Sequence, residues 1–197
     1  MSSNIHHAAA DGYASGAATY VKGRPDYPPE VSAWLRDSPL PDASVDAVVC
    51  AQAFHWFATP EALDEILRVL KPGGKLGLVW NLRDAGVPWV ARLDAIVNQA
   101  EGDTPRYYTG AWRQVFPHAG LTALQESHFS HGHTGTAEDV LLNRVRSTSF
   151  IAALAPQQRQ RIDAAIVALI ASEPALRGQA TITVPYQTAA YVAQKRI

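Results

Sequence analysis

The run Ala51-Gln52-Ala53-Phe54-His55-Trp56 concentrates side chains that could do chemistry. Gln52 and His55 both donate and accept hydrogen bonds, and His55 is the group here that titrates near neutral pH. Phe54 and Trp56 offer flat walls that can face an apolar group or a cation, and Ala51 and Ala53 leave room for close approach. A second set, Trp80, Asn81 and Arg83, follows a later apolar run, and the aromatics Trp89, Tyr107, Tyr108 and Trp112 come after it. Each of these aromatics reads about as well as core packing as it does as a pocket wall. His128, His131 and His133 invite a metal reading. Strand alternation would put His131 and His133 on one face and His128 on the other, however, with no cysteine beside them. Glu126 and Asp139 match no common ligand spacing, so no metal site is expected. Cys50 lies inside an apolar run and reads as a buried, inert thiol.

These groups need elements to position them. Val45 to Phe54 is apolar at nearly every position, the pattern of a parallel strand buried on both faces. The helix after it is well marked. Thr59 is a good N-cap, Pro60 suits the first helical position, and Leu63, Ile66, Leu67 and Leu70 form one stripe. Lys71 suits the helix C-terminus, and Pro72-Gly73-Gly74 is expected to stop the helix and turn the chain. Lys75–Asn81 then reads as a second buried strand, completing a βαβ unit of a parallel sheet. Such sheets bind ligands at the carboxyl ends of their strands, and both candidate sets lie at such ends. Beyond, Pro88–Ala100, Glu138–Ser147 and Pro156–Ser172 read as helices and Thr122–His133 as a strand. A short helix is expected in GAWRQVFPHAGL, and a strand or hairpin in TITVPYQTAAYVAQK. Upstream, Pro28 and Pro29 suit a helix start, with Val31, Trp34 and Leu35 on one face.

VDAVVCAQAFHWF followed by EALDEILRVLKPGGKLGLVWNLRD resembles the fourth-to-fifth-strand region of class I S-adenosylmethionine (SAM)-dependent methyltransferases. The nearest subgroup is the methyltransferase type 11, trans-aconitate-like set. YVKGRPDYPPEV resembles the N-terminal helix that covers the cofactor there. The resemblance implies an α/β fold with a Rossmann-like, doubly wound, mostly parallel sheet. It also implies methyl transfer from SAM to a small-molecule acceptor. It assigns Tyr20, Arg24, Tyr27, Ala51, Gln52, Ala53, Phe54 and Trp56 to the cofactor. Trp80, Asn81, Arg83, Trp89, Tyr107 and Trp112 fall to the substrate pocket, and His55 becomes the candidate general base. By their types alone, Tyr20, Arg24 and Tyr27 could as well fix a helix.

The chain departs from that pattern in one place. The family's first strand ends in a glycine-rich turn and its second in an acidic residue, yet no glycine lies between Gly23 and Gly73. VSAWLRD, which should precede the first strand, runs straight into SPLPDAS, which should precede the fourth, so the first three strands are missing. Either the segments are deleted, or Asp37 and Ser38 are not bonded neighbours. The second case is expected, because losing the central strand would cost much of the core. A long Cα step between Leu35 and Leu40 would show it. The departure leaves open an alternative function, a non-catalytic methyltransferase relic that binds a partner and pairs through its exposed strand, possible as a homodimer.

The whole chain bounds these readings. Its 197 residues suit one domain, with residues 1–37 as a cap helix, 38–85 as the strand-helix-strand core and 86–197 as lid and C-terminal strands. With 47% hydrophobic residues, 18% charged residues and a net charge of -1, it is a globular composition with no pull toward nucleic acid or an anionic membrane. No apolar run is long enough to span a membrane, and the small, polar N-terminus does not read as a signal peptide. One cysteine allows no internal disulfide, so a cytoplasmic location is expected.

Overall fold

The computed structural model of the chain describes residues 40–197. Tyr20, Arg24, Tyr27 and the Asp37–Ser38 junction therefore lie outside the described residues.

A mixed four-stranded sheet organises the fold, in the order β1-β2-β4-β3. Strand β1 (Val45–Ala51) runs parallel to β2 (Leu70–Arg83), pairing Ala47 with Lys75, Val49 with Gly77 and Ala51 with Val79. Helix α1 (Pro60–Val69) connects them as expected. Pro60 opens the helix, the Ala62 amide donates to Thr59 Oγ1 at 3.2 Å, and Leu63, Ile66 and Val69 are buried. Replacing Thr59 with alanine orphans that amide. The expected loss is about 1 kcal/mol, or roughly 2–4 °C in Tm for a chain of this size, readable by thermal melting.

The Pro72-Gly73-Gly74 segment behaves differently from the expected turn between helix and strand. Leu70 already pairs with Val45, and the register then slips before Ala47 meets Lys75. Lys71–Gly74 is thus an irregularity inside β2, with Gly73 at φ 76° absorbing the bend. Lys71 leaves the helix end and pairs with Asp46 at 2.9 Å.

The last two strands are β3 (Gln125–Gly135) and β4 (Ile182–Gln194). Lys195 donates to the Gly74 carbonyl and Asp84 to that of Pro185, so β4 runs antiparallel to β2. Leu121 bridges Lys195 in the antiparallel sense just before β3. The C-terminal segment is one long strand rather than a hairpin.

Contacts divide the described chain into two compact units. The first comprises Leu82–Thr104 and Ser130–Gln187. Within it, α2 (Pro88–Asn98) packs on α3 (Pro156–Ser172); Trp89, Val90, Leu93 and Val97 of α2 and Ile162, Ile166 and Leu169 of α3 are buried. The stretch read as a helix from Glu138 begins as a π-turn, Glu138–Asn143, and continues as a short helix, Arg144–Arg146. The second unit comprises residues 40–81, Pro105–Phe129 and Thr188–Ile197. Among the described residues no helix is long and apolar enough to cross a membrane, and no cluster of three metal-ligating side chains occurs.

Burial alternates along the strands of the second unit. Cys50, Leu76, Leu78, Trp80, Ala189, Tyr191 and Ala193 are all at most 8% exposed and face the core. Burial also pushes the Cys50 thiol pKa up, which suits an inert thiol. The intervening residues face the other way. Val49 is 65% exposed, so β1 is not buried on both faces as its apolar run suggested.

Candidate functional site

The chain leaves β1 through a strained corner. Gln52 adopts φ 56°, unusual for a residue with a side chain, while its amide still donates to the Val79 carbonyl at 2.8 Å. Its side-chain amide donates to the Asn81 carbonyl at 3.2 Å. Gln52 thus ties together the carboxyl ends of β1 and β2, and the strain lies where ligands of such sheets bind. A single 3-10 turn, Phe54–Trp56, follows. Phe54 is fully buried against Phe57 and Phe116, which lifts His55 and Trp56 to half-exposed positions.

His55 has a defined protonation state. Trp80 Nε1 donates to His55 Nδ1 at 3.0 Å. An indole nitrogen only donates, so Nδ1 must be the bare nitrogen and Nε2 must carry the proton. Burial, with the Arg106 guanidinium as a second cause, pulls the imidazole pKa down from 6.5 to about 4. At neutral pH His55 is therefore a neutral ring whose Nε2–H donates. The role expected of it, a general base, requires a free ring lone pair, and the Trp80 bond occupies it.

Trp80 belongs to an aromatic block. Its ring centroid lies 4.6 Å from that of Trp112, 5.2 Å from Tyr107 and 5.8 Å from Tyr191. Trp80 and Trp112 are each 1% exposed, which makes them packing residues behind the site rather than open walls. The Tyr107 hydroxyl lies 2.6 Å from that of Tyr191, which donates in turn to Glu126 at 2.7 Å. Arg113 donates to the Tyr191 oxygen at 2.8 Å and to the other Glu126 oxygen at 2.9 Å, and covers the faces of Trp112 and Tyr191. The Tyr191 bond, helped by Arg113 and His128, holds the Glu126 carboxyl down at about 2. Burial and the Glu126 bond push the Tyr191 phenol well above its usual value.

Other expected site residues fall elsewhere. Asn81 stands at the end of β2 with its side-chain oxygen accepting from Thr188 at 2.7 Å. Arg83 belongs to the first unit, where it is ion-paired to Asp94 at 2.6 Å, and Trp89 lies there on the buried face of α2. Ala51 is exposed, while Ala53 is half-buried beside the Gln52 corner. His128 is hydrogen-bonded to Glu126. Arg106, Thr188, Tyr191 and Glu126 act on this site without having been read as its members. Long-range pairing brings them in, and no local pattern marks such pairing.

The fit to SAM can be tested on these positions. Gln52, His55, Trp56 and Asn81 supply hydrogen bonds and an aromatic wall at the carboxyl ends of β1 and β2. The amino-acid end of SAM needs backbone amides from a glycine turn at a helix N-terminus on the open side of β1. Among the described residues no strand lies there, and the chain has no glycine between Gly23 and Gly73. The residues present do not fit that end of the cofactor.

Comparison with known proteins is consistent with this geometry. Residues 13–78 match the methyltransferase domain family. An uncharacterized methyltransferase-like protein of Schizosaccharomyces pombe is 40% identical over 157 residues, covering 80% of this chain and 61% of that protein. An uncharacterized methyltransferase of Mycobacterium tuberculosis is 37% identical over 150 residues, 76% of this chain and 58% of that one. The chain thus spans about three fifths of the length of these curated relatives. A solved structure from Anaeromyxobacter dehalogenans, assigned as a type II methyltransferase, shares the fold. It matches with a TM-score of 0.51 and 21% identity over 80% of this chain and 66% of that one.

Proposed function

We propose that the chain is part of a class I SAM-dependent methyltransferase and that its site serves methyl transfer to a small-molecule acceptor. The observation that carries this reading is the Trp80–His55 hydrogen bond at the carboxyl ends of β1 and β2, where ligands of open α/β sheets bind. Methyl transfer from an activated donor asks a protein mainly for alignment and exclusion of water. His55 suits that demand as a fixed, neutral Nε2–H donor rather than as a base. Gln52 holds the two strand ends at one spacing, and Trp56 offers a wall beside them.

The chain by itself also has a second reading, a non-catalytic binding module. The glycine-free stretch between Gly23 and Gly73 favours it. Titration of SAM into the isotope-labelled chain, followed by NMR, separates the two. For the methyltransferase site, the signals of Gln52, His55, Trp56 and Asn81 are expected to shift together. Saturation should come only at millimolar SAM, because each charge-assisted hydrogen bond missing from the amino-acid end costs about 1.5–3 kcal/mol, roughly ten- to a hundredfold in affinity. Micromolar saturation would show that the amino-acid end is held after all. Absence of shifts at these four residues would leave the binding-module reading standing.

A further inference from the structure

Among the described residues, β1 ends the sheet on the side away from β2. In an extended strand the N–H and C=O of one residue point the same way, and neighbours alternate. The Ser44 amide donates to the Val69 carbonyl and the Gln52 amide to that of Val79, and the parallel register runs unbroken from Ala47–Lys75 to Ala51–Val79. The even-numbered residues of β1 therefore bond to β2, and Val45, Ala47, Val49 and Ala51 turn their backbone groups to the other side. Their side chains are small or β-branched and share one face, where Val49 is 65% exposed. Natural sheets ordinarily guard such an edge with lysine or proline. β1 has neither, and its one charged residue, Asp46, is bound to Lys71 at 2.9 Å. Ala43 at φ 48° and Gln52 at φ 56° break the extended backbone at either end, so the edge is bounded.

We propose that β1 pairs antiparallel with β1 of a second copy of this chain, across a two-fold axis at Val48. The occupant follows from the symmetry of the outward-facing groups. An axis at Val48 sets Val45 opposite the partner's Ala51 and Ala47 opposite the partner's Val49. Every outward-facing residue then meets another, and the four pairs exchange two hydrogen bonds each. Moving the axis to Ala47 or to Val49 leaves one outward-facing residue of each strand without a counterpart. The same axis sets a small side chain against a β-branched one at each position of the exposed face. It also sets Asp46 opposite the partner's Cys50, so like charges do not meet. A contact that is its own complement closes after two copies, which leaves no edge for a third. The pairing uses the strand edge rather than the strand ends, and it stands independently of methyl transfer.

Sedimentation equilibrium on the full chain tests this at about 100 µM, a concentration suited to the weak association of a small contact. The chain is expected to sediment at twice its monomer mass, and Val49→Pro as a monomer. Proline at this position removes an outward N–H and no bond to β2, so the circular dichroism of the variant should match that of the parent. Disulfide trapping reads the register without that variant, and decides alone if the variant does not fold. In a Cys50→Ala background, Val48→Cys meets its own counterpart across the axis, with Cα atoms about 4.5 Å apart, inside the span of a disulfide. Val49→Cys lies about 9 Å from its counterpart, outside that span. Crosslinked dimer from Val48→Cys is expected at roughly ten times the yield from Val49→Cys. A chain that stays monomeric at this concentration would overturn the proposal. So would a dimer that survives Val49→Pro, or equal crosslinking at the two positions.

Discussion

Trp80→Ala is expected to lower the stability of the chain by about 3–5 kcal/mol and its Tm by roughly 10–15 °C. The side chain is 1% exposed and its ring contacts those of Trp112, Tyr107 and Tyr191, so truncation opens a cavity that these large rings cannot close. The same change removes the donor to His55 Nδ1. Trp80→Phe separates the two effects. It keeps most of the packing but leaves the imidazole nitrogen without its partner, at an expected cost of about 1–2 kcal/mol. Freed from that bond, His55 should lose its single tautomer, which the ring nitrogen shifts report by NMR. Urea melts of both variants check the magnitudes. A loss under about 1 kcal/mol for the alanine variant would mean that the block is not the core it looks to be.

The elements that the sequence marked clearly are those set by neighbours in the chain. Helix α1 follows from Thr59, Pro60 and the Leu63–Ile66 stripe, and α3 runs Pro156–Ser172 as its pattern implied. β1 was legible as a strand, but its exposure was not. An all-apolar run reports what a strand can tolerate on each face, whereas whether a face is covered depends on segments far away. The Pro72-Gly73-Gly74 segment was legible as a bend, yet the pairing of Leu70 with Val45 makes it an irregularity within β2.

The site divides in the same way. Gln52, His55 and Asn81 could be placed at strand ends from the order of the elements alone. The state of His55 could not, because it depends on Trp80, twenty-five positions later, and on Arg106. Trp80 and Trp112 illustrate the ambiguity of aromatics. Their types suit a pocket wall and a core equally, and only their near-complete burial decides. Glu126 and Tyr191 gave no local signal, since their bond joins strands separated by most of the C-terminal half.

Lowering the pH from 6.5 to 4 should cost the chain on the order of 2–3 kcal/mol through His55 alone. The sign follows from the direction of the shift. In the unfolded chain the imidazole takes up a proton near pH 6.5, whereas in the folded chain it does so only at about 4. Between those values the unfolded state binds more protons, so stability falls as pH falls; above 6.5 the contribution is constant. The local geometry supplies the reason, because a proton on Nδ1 would face the Trp80 N–H and turn an acceptor into a second donor. A further loss is expected lower down. Glu126 is held at about 2 against an ordinary 4.5, so its contribution fades as the pH falls between those values. The two windows can be told apart by replacement. His55→Asn keeps an acceptor for the indole but cannot titrate, so urea-unfolding free energies of that variant should be nearly flat from pH 6.5 to about 4.5 and still fall below it. If the variant shows the same slope as the parent chain across the upper window, or if the His55 ring protons titrate near 6.5 by NMR, the imidazole is not held neutral and its assignment as an Nε2–H donor fails.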